Sequence, residues 1–278
     1  MPQVIQCRWS PTLGALEDTH EKVWGTVPCT NEEGPAIFFG IYGLPDFYAL
    51  WRHKGPKWIL WAGTDIIHFA NGYWLDEKGR IRISRKALAF WINTYCESWC
   101  ENEVEQAALE ATGIQAKVCP SFLGDVHAFP VSYQPSDKPK LYTSVSGDNF
   151  EQYGWHLIPE LAKKNPGVEF HLYGNSKEPP YGGAIPRNMF LHGRVPKEQM
   201  NTEIADMQGG LRLTGFDGFS EIVCKSVLMG QWPVSLIPYP HMLGVDEIGT
   251  LKDKKEVNVV GREHYINVLN RFPWNTRL

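Results

Sequence analysis

No Asp-x-Asp pair, no His-Glu-x-x-His, no Gly-x-Ser-x-Gly and no Gly-x-x-x-x-Gly-Lys-Ser/Thr occurs in this sequence. The motifs of a metal-bound diphosphate, a zinc-activated water, a serine elbow and a P-loop are therefore all missing. The six cysteines, Cys7, Cys29, Cys96, Cys100, Cys119 and Cys224, form no paired framework. Cys96 and Cys100 stand one helical turn apart, but no second Cys or His pair follows at zinc-finger spacing, so all six read as structural or idle thiols. No apolar run reaches the length of a membrane span and no signal peptide opens the chain, so the expectation is a soluble, cytoplasmic protein. Basic residues are not in excess: 27 Lys and Arg against 31 Asp and Glu leave a formal charge of −4. Nonspecific nucleic-acid surfaces rely on clustered Lys and Arg, so such a surface is not favoured, while a local basic groove stays compatible.

What is present is a repeated strand-then-helix pattern over 278 residues, long for one domain and comfortable for two of about 130. Gln3 to Trp9 and Ala36 to Tyr42 read as strands, with helices over Ala15 to Trp24 and Leu44 to His53. Lys57 to Ala62 is a third strand, and it ends in Gly63-Thr64-Asp65. A small residue, a hydroxyl and a carboxylate at a strand's carboxyl end make a compact polar cluster, with Asp65 either capping the next turn or contacting a ligand. Gly72 to Ser84 reads as a hairpin, Arg85 to Trp91 as a helix and Asn93 to Trp99 as a strand. Glu103 to Thr112 is a patterned helix that stops at Gly113. Asp125 to Pro139, with three prolines, has linker composition.

After the linker the pattern restarts. Lys140 to Val145 and Val168 to Tyr173 read as strands around a helix at Trp155 to Lys164. Met189 to His192 is followed by a helix over Lys197 to Met207 that Gly209-Gly210 ends. The stretch Gly209 to Ser235 then reads as strand, polar turn, helix and a Gly-x-x-Pro step into another strand. Ser220 is a natural N-cap and Glu221 in the first turn suits the positive end of the helix dipole. That helix start lies just beyond a strand's carboxyl end, where unpaired amides gather anions. Lys252 to Lys255 reads as a solvated turn and Arg262 to Arg271 as a closing helix. The eleven Trp and eleven Tyr suit stacking on sugar rings and equally suit core filling.

Asp217-Gly218-Phe219-Ser220, with the exit Gly230 to Val234, resembles the donor-binding segment of retaining glycosyltransferases of family 4, in its acidic Asp-Gly-Phe-Ser variant. The resemblance is marked over 189 to 235 and looser back to 95. It implies an α/β fold of two Rossmann-like domains facing across a cleft, the GT-B arrangement, in a compact version with trimmed loops or a missing strand-helix unit. Residues 1–135 would be the acceptor domain, 136–255 the nucleotide-sugar donor domain, and 256–278 a closing helix returning to the first. Two positions depart from the family pattern. Its second glutamate, which accepts from the nucleotide ribose, falls on Lys225, an ammonium with no acceptor. Either Lys225 meets phosphate, or Glu221 one turn earlier takes the ribose, or the site has changed; a plain i,i+4 pair of Lys225 with Glu221 is the simplest alternative. Tyr153-Gly154 stands where the family has Lys-Gly, so cationic support for a diphosphate has to come from elsewhere.

The resemblance implies transfer of a sugar from a nucleotide-diphosphate donor to a hydroxyl-bearing acceptor, with no metal or other cofactor expected and with retention. Asp217 would hold sugar hydroxyls near the anomeric carbon, and Asp65 would steer the acceptor from beside Gly63 and Thr64. Amides of Ser146 and Gly147 and the start of the helix at Ser220 and Glu221 would cradle the diphosphate, with Thr214, Gly218 and Phe219 lining the donor turn. Arg194 and Arg212 are the remaining cations, because a guanidinium grips two oxygens at once. Two rivals stand beside this reading. One is a degenerate nucleotide-sugar binder of the same fold without turnover, and the other is a glycosyltransferase acting on modified DNA bases.

Overall fold

The computed structural model of the protein describes residues 4–16, 22–72, 84–145, 149–174 and 184–275. The chain divides into two units, one comprising Met1–Asp125, Phe216–Phe219 and Val268–Leu278, the other Val126–Gly215 and Ser220–Asn267.

The first unit is a parallel sheet built from β1 (Gln6–Trp9), β2 (Val27–Pro28), β3 (Ala36–Phe39), β4 (Lys57–Leu60), β5 (Glu97–Cys100) and β6 (Ala116–Val118). Their order is β2-β1-β3-β4-β5-β6. Parallel strands covered on both faces carry unbroken apolar runs, which is why all four residues of β3 are buried. The strand period of two sends Ala36 and Phe38 into one core layer with Ile59, Trp61 and Phe69, and Ile37 and Phe39 into the other with Trp9, Trp24 and Trp274. The first layer is closed by α1 (Leu44–Arg52), α2 (Thr64–Asn71), α3 (Arg85–Tyr95) and α4 (Glu103–Thr112). Trp9, Trp24, Trp61 and Trp274 are thus core filler, and they take up part of the tryptophan excess.

The second unit repeats the plan with β7 (Lys140–Ser144), β8 (Glu169–Tyr173), β9 (Met189–Gly193), β10 (Gly209–Arg212) and β11 (Val234–Ser235), all parallel, in the order β11-β10-β7-β8-β9. Its helices are α5 (Ile158–Lys164), α6 (Lys197–Ala205), α7 (Glu221–Leu228) and α8 (Val259–Val268). The chain runs outward from β7 to β8 and β9, then returns to the other side of β7 for β10 and β11. The direction of winding therefore reverses between β7 and β10, and in such sheets a ligand crevice opens at that point outside the strand ends.

Several expectations need correction. Asn93 to Tyr95 continue α3 and only Glu97–Cys100 pair as a strand, because Asn93 bonds Gly113 O and Gln115 N from the end of the helix. Gly209 and Gly210 are strand residues rather than a helix end: a Cβ on Gly209 would overlap Trp232 O, and one on Gly210 would press on Ile222. Only glycine lets β10 lie that close to α7. The closing helix sits earlier, at Val259–Val268, and Lys252–Asp253 end a 3-10 helix from Val245 rather than forming a free turn. Nearly all of the hairpin expected over 72–84 and half of the helix expected over 15–24 lie outside the described residues.

Gly154 shows how local geometry anchors the second core. It has φ +72°, and a Cβ there would overlap Leu213 O. Its neighbour Trp155 is buried against Phe150, with ring centroids 4.9 Å apart. Gly154→Ala is expected to destabilise this unit by at least about 2 kcal/mol, from left-handed backbone strain plus the overlap. Urea unfolding followed by tryptophan fluorescence measures it; a change under about 0.5 kcal/mol would mean that the close approach to Leu213 is not required.

Candidate functional site

In the second unit, two contacts tie the reversal point together. Thr214, just after β10, donates from Oγ1 to Gln152 O at 3.1 Å. Arg212, the last residue of β10, lays its guanidinium over the Tyr153 ring, 4.0 Å from the centroid. Arg212 and Thr214 are both buried, so the cation is held in a fixed place at the strand end rather than waving in solvent. Tyr153 stands where the resemblance calls for a lysine, and it supplies a face for a guanidinium from the neighbouring strand instead. α7 begins close by in sequence, with Ser220 Oγ accepting from Ile222 N at 3.3 Å as its N-cap.

The remaining donor-side residues are placed as follows. Lys225 is almost fully buried, its Nζ 2.7 Å from Glu221 Oε1 and 3.2 Å from Asn201 Oδ1. Glu221 is exposed and also lies 3.8 Å from Lys197 Nζ. Arg194 is exposed after β9, three strand positions from β10, which at the usual spacing is about 14 Å. Arg194 and Arg212 therefore do not converge from their strands. Ser146 and Gly147 lie outside the described residues.

The first unit has a different rim. At the carboxyl ends of its strands, buried carboxylates accept from backbone amides. Asp46 takes Tyr42 N at 3.1 Å and the Ser10 hydroxyl at 2.9 Å. Asp65 takes Ile41 N at 2.8 Å on one oxygen and Ala62 N at 2.9 Å on the other. Glu105 takes Glu101 N at 2.7 Å, and Glu101 takes Phe219 N at 2.7 Å and the Ser121 hydroxyl. Asn102 caps α4 through Glu105 N and donates from Nδ2 to Asp217 O at 2.7 Å. The segment Phe216–Phe219, although flanked in sequence by the second unit, is in this way part of the first.

Gly63, Asp217 and Gly218 meet here. A Cβ on Gly63, which has φ +80°, would lie 3.2 Å from Gly218 N and 3.6 Å from Glu105 Oε1. A Cβ on Gly218 would overlap Glu101 Oε2, so glycine is what allows the segment to reach that carboxylate. Thr64 opens α2 beside the Tyr42 hydroxyl. Glu101, Asn102, Glu105 and Ser121 were not singled out from the sequence. The available signal was an acidic residue on an apolar stripe: Glu105, Leu109 and Thr112 are the buried face of α4.

Burial sets the charge state of these groups. Asp65 is pushed up to about 6 by desolvation, against the pull of its amide partners Ile41 and Ala62. Glu101 is pushed up to about 7, chiefly by burial, and Glu105 is raised well above its ordinary value by burial and then by the Glu101 charge. Neither glutamate pairs with a Lys or Arg among the described residues, as the salt bridges show. Among the described residues there is also no group of three or more His, Cys, Asp or Glu arranged to hold a metal ion, and no helix is long and apolar enough to cross a membrane.

Asp65 gives a measurable consequence. Its folded value lies above the ordinary 3.8, so the unfolded chain sheds the proton first and stability falls as pH rises from about 4 through 6. Asp65→Asn cannot titrate, and its amide NH2 faces one of the two backbone donors, leaving that donor unsatisfied at a cost of about 1–3 kcal/mol. Urea unfolding is expected to show the variant well below wild type at pH 5 and closer to it at pH 8. A gap that widens with pH would overturn this account of Asp65.

No protein-family model matches the sequence, and no curated protein sequence matches it. Solved structures do match. The chain is similar to a variant of TarM from S. aureus, solved with fondaparinux, alpha-GlcNAc-glycerol and UDP, with TM-score 0.56 and 15% identity over 91% of this chain and 55% of that one. It is similar to HepE of Anabaena, solved with UDP and glucose, with TM-score 0.53 and 11% identity over 96% of this chain and 95% of that one. It is also similar to the pneumococcal O-GlcNAc transferase GtfA, solved with UDP and GlcNAc, with TM-score 0.51 and 11% identity over 84% and 54%. The chain spans about half the length of TarM and GtfA. The fold it shares with these proteins is the α/β, parallel-sheet fold of GT-B glycosyltransferases.

Proposed function

We propose that the chain is a glycosyltransferase that takes a sugar from a uridine-diphosphate donor held by the second unit and passes it to a hydroxyl-bearing acceptor held by the first. The observation that carries this reading is Arg212, buried, stacked on Tyr153 and fixed at the reversal point of the second sheet. A guanidinium fixed at that point meets the diphosphate without reorganising, and preorganised charge of this kind stabilises a leaving group as negative charge develops on it. The contrast in rim chemistry supports the assignment of roles. The first unit fills its strand ends with its own carboxylates, which disfavours an anion there and suits a neutral hydroxyl compound.

In this reading the start of α7 adds amide dipoles to Arg212. Glu221, held by the buried Lys225, accepts the ribose hydroxyls that the family's missing glutamate would accept. Asp217 holds sugar hydroxyls near the anomeric carbon and favours retention of configuration, and charge stabilisation is assigned to Arg212 and amides rather than to a metal. Asp65 becomes a positioning residue for Gly63 and Thr64 in place of an acceptor contact, since both its oxygens are engaged by backbone amides. Arg194 has no part in it. A second reading, a nucleotide-sugar binder without turnover, draws on the same Lys225, whose ammonium stands where an acceptor is expected.

Titration calorimetry with UDP tests the reading. Arg212→Ala is expected to weaken binding by about 1.5–3 kcal/mol, roughly 10- to 150-fold, with thermal unfolding run alongside to confirm that the variant folds. An unchanged affinity in a folded variant would remove Arg212 from the donor site and the reading with it. Tight UDP binding by wild type, combined with no sugar release from any of several UDP-sugars offered with acceptors, would favour the binder.

A further inference from the structure

Glu101 and Glu105 are joined through Glu101 N, are both buried, and have no cationic partner among the described residues. Among the described residues Glu105 Oε1 has no hydrogen-bond partner; it lies toward Gly63, while its Oε2 is taken by the Glu101 amide. Glu101 spends both oxygens on neighbours, one on Ser121 and one on Phe219 N. Two carboxylates cannot both be ionised in such a place without a large desolvation and repulsion penalty. A proton must therefore stay on the pair over part of the pH range, and what the pair grips is the backbone of the Asp217 segment.

We propose that Glu101 and Glu105 act as one proton-holding latch, which grips Asp217–Phe219 while it keeps a carboxyl proton and loosens that segment once the proton is lost. Both glutamates are positioning residues. They reach Asp217 through Phe219 N and, by way of Glu105 N and the Asn102 amide, through Asp217 O. Among the described residues, the charged groups that act on the pair add no compensating cation. Asp65 from α2 and Asp217 from the segment itself are acidic, and Tyr42, Cys100 and Cys119 are held neutral, chiefly by burial. Arg271 acts on Cys119.

The direction follows from linkage. A latch carboxyl exposed by opening returns toward its ordinary 4.5, whereas in the closed latch burial pushes Glu101 up to about 7 and holds Glu105 well above its ordinary value. The closed form binds more protons, so closure weakens as pH rises through neutrality. Any effect on turnover rests on the reading of Asp217 given above, but the latch does not, and its test reads the segment directly.

Amide hydrogen exchange of a peptide covering 216–220, corrected for intrinsic rates, is expected to lose about tenfold or more protection in wild type between pH 6 and pH 9. The double variant Glu101→Gln, Glu105→Gln keeps acceptors for Phe219 N and Glu101 N but has neither titrating carboxyl, and is expected to lose less than about threefold over the same range. Equal loss in both proteins, or protection in wild type that ignores pH, would overturn the latch. Should the double variant fail to fold, carboxyl carbon NMR of wild type decides: one of the two glutamates still protonated at pH 7 supports the proposal, and both titrating near 4.5 sinks it. UDP affinity measured on the same samples separates the two questions, since a wild type whose protection ignores pH but which still binds UDP rejects the latch and leaves the donor site standing.

Discussion

Parallel strands end with amides that no neighbour in the sheet satisfies, and each of those amides has to find an acceptor or stay wet. Much of the chemistry of this chain follows from which acceptor is used. In the first unit Asp46, Asp65, Glu105 and Glu101 accept from Tyr42, Ile41 with Ala62, Glu101 and Phe219. Asp46, Asp65 and Glu101 each join pieces of chain that the sheet itself leaves separate, while Glu105 ties back to the turn before its own helix. The acceptors of this rim are covalently part of it.

The second unit treats the same problem differently. At its reversal point the chain places a guanidinium on an aromatic face, a threonine hydroxyl on a carbonyl, and a serine cap on the start of α7. A rim lined with its own carboxyls offers a diphosphate no cation, and one furnished with a fixed guanidinium attracts it. The proposed donor and acceptor roles rest on this difference in where charge is already spent.

Regular elements were legible wherever periodicity and a stop signal coincided. Glu103–Thr112 was readable to the residue because its apolar stripe ends at a glycine, and the start of α7 because Ser220 and Glu221 precede an apolar run. The misses have physical causes. Gly209-Gly210 looks like a helix stop, yet those glycines are there to let β10 approach Trp232 and Ile222, a tertiary demand that no local pattern records. Glu105 looks like one more charge on an amphipathic helix, because a sequence does not show that the face it occupies is dry. The place of Asp65 at a strand end is legible, but whether its oxygens point at backbone or at a ligand depends on Ile41, more than twenty residues away in the chain.

The two departures from the family pattern are best understood together. Relative to the pattern the sequence resembles, position 153 carries a tyrosine in place of a lysine and position 225 a lysine in place of a glutamate, so the two differences do not cancel and the second unit is the more positive for them. Each change comes with a local partner: Tyr153 carries Arg212 on its face, and Lys225 holds Glu221 at 2.7 Å. A site decaying without constraint would leave a buried ammonium unpaired or a strand-end guanidinium unsupported, since nothing would select against the cost of either. Lys225 is buried and yet doubly engaged, by Glu221 and by Asn201, and Arg212 is buried and stacked. Under the proposed function, contacts paired in this way fit a donor site built with different residues better than a site without one.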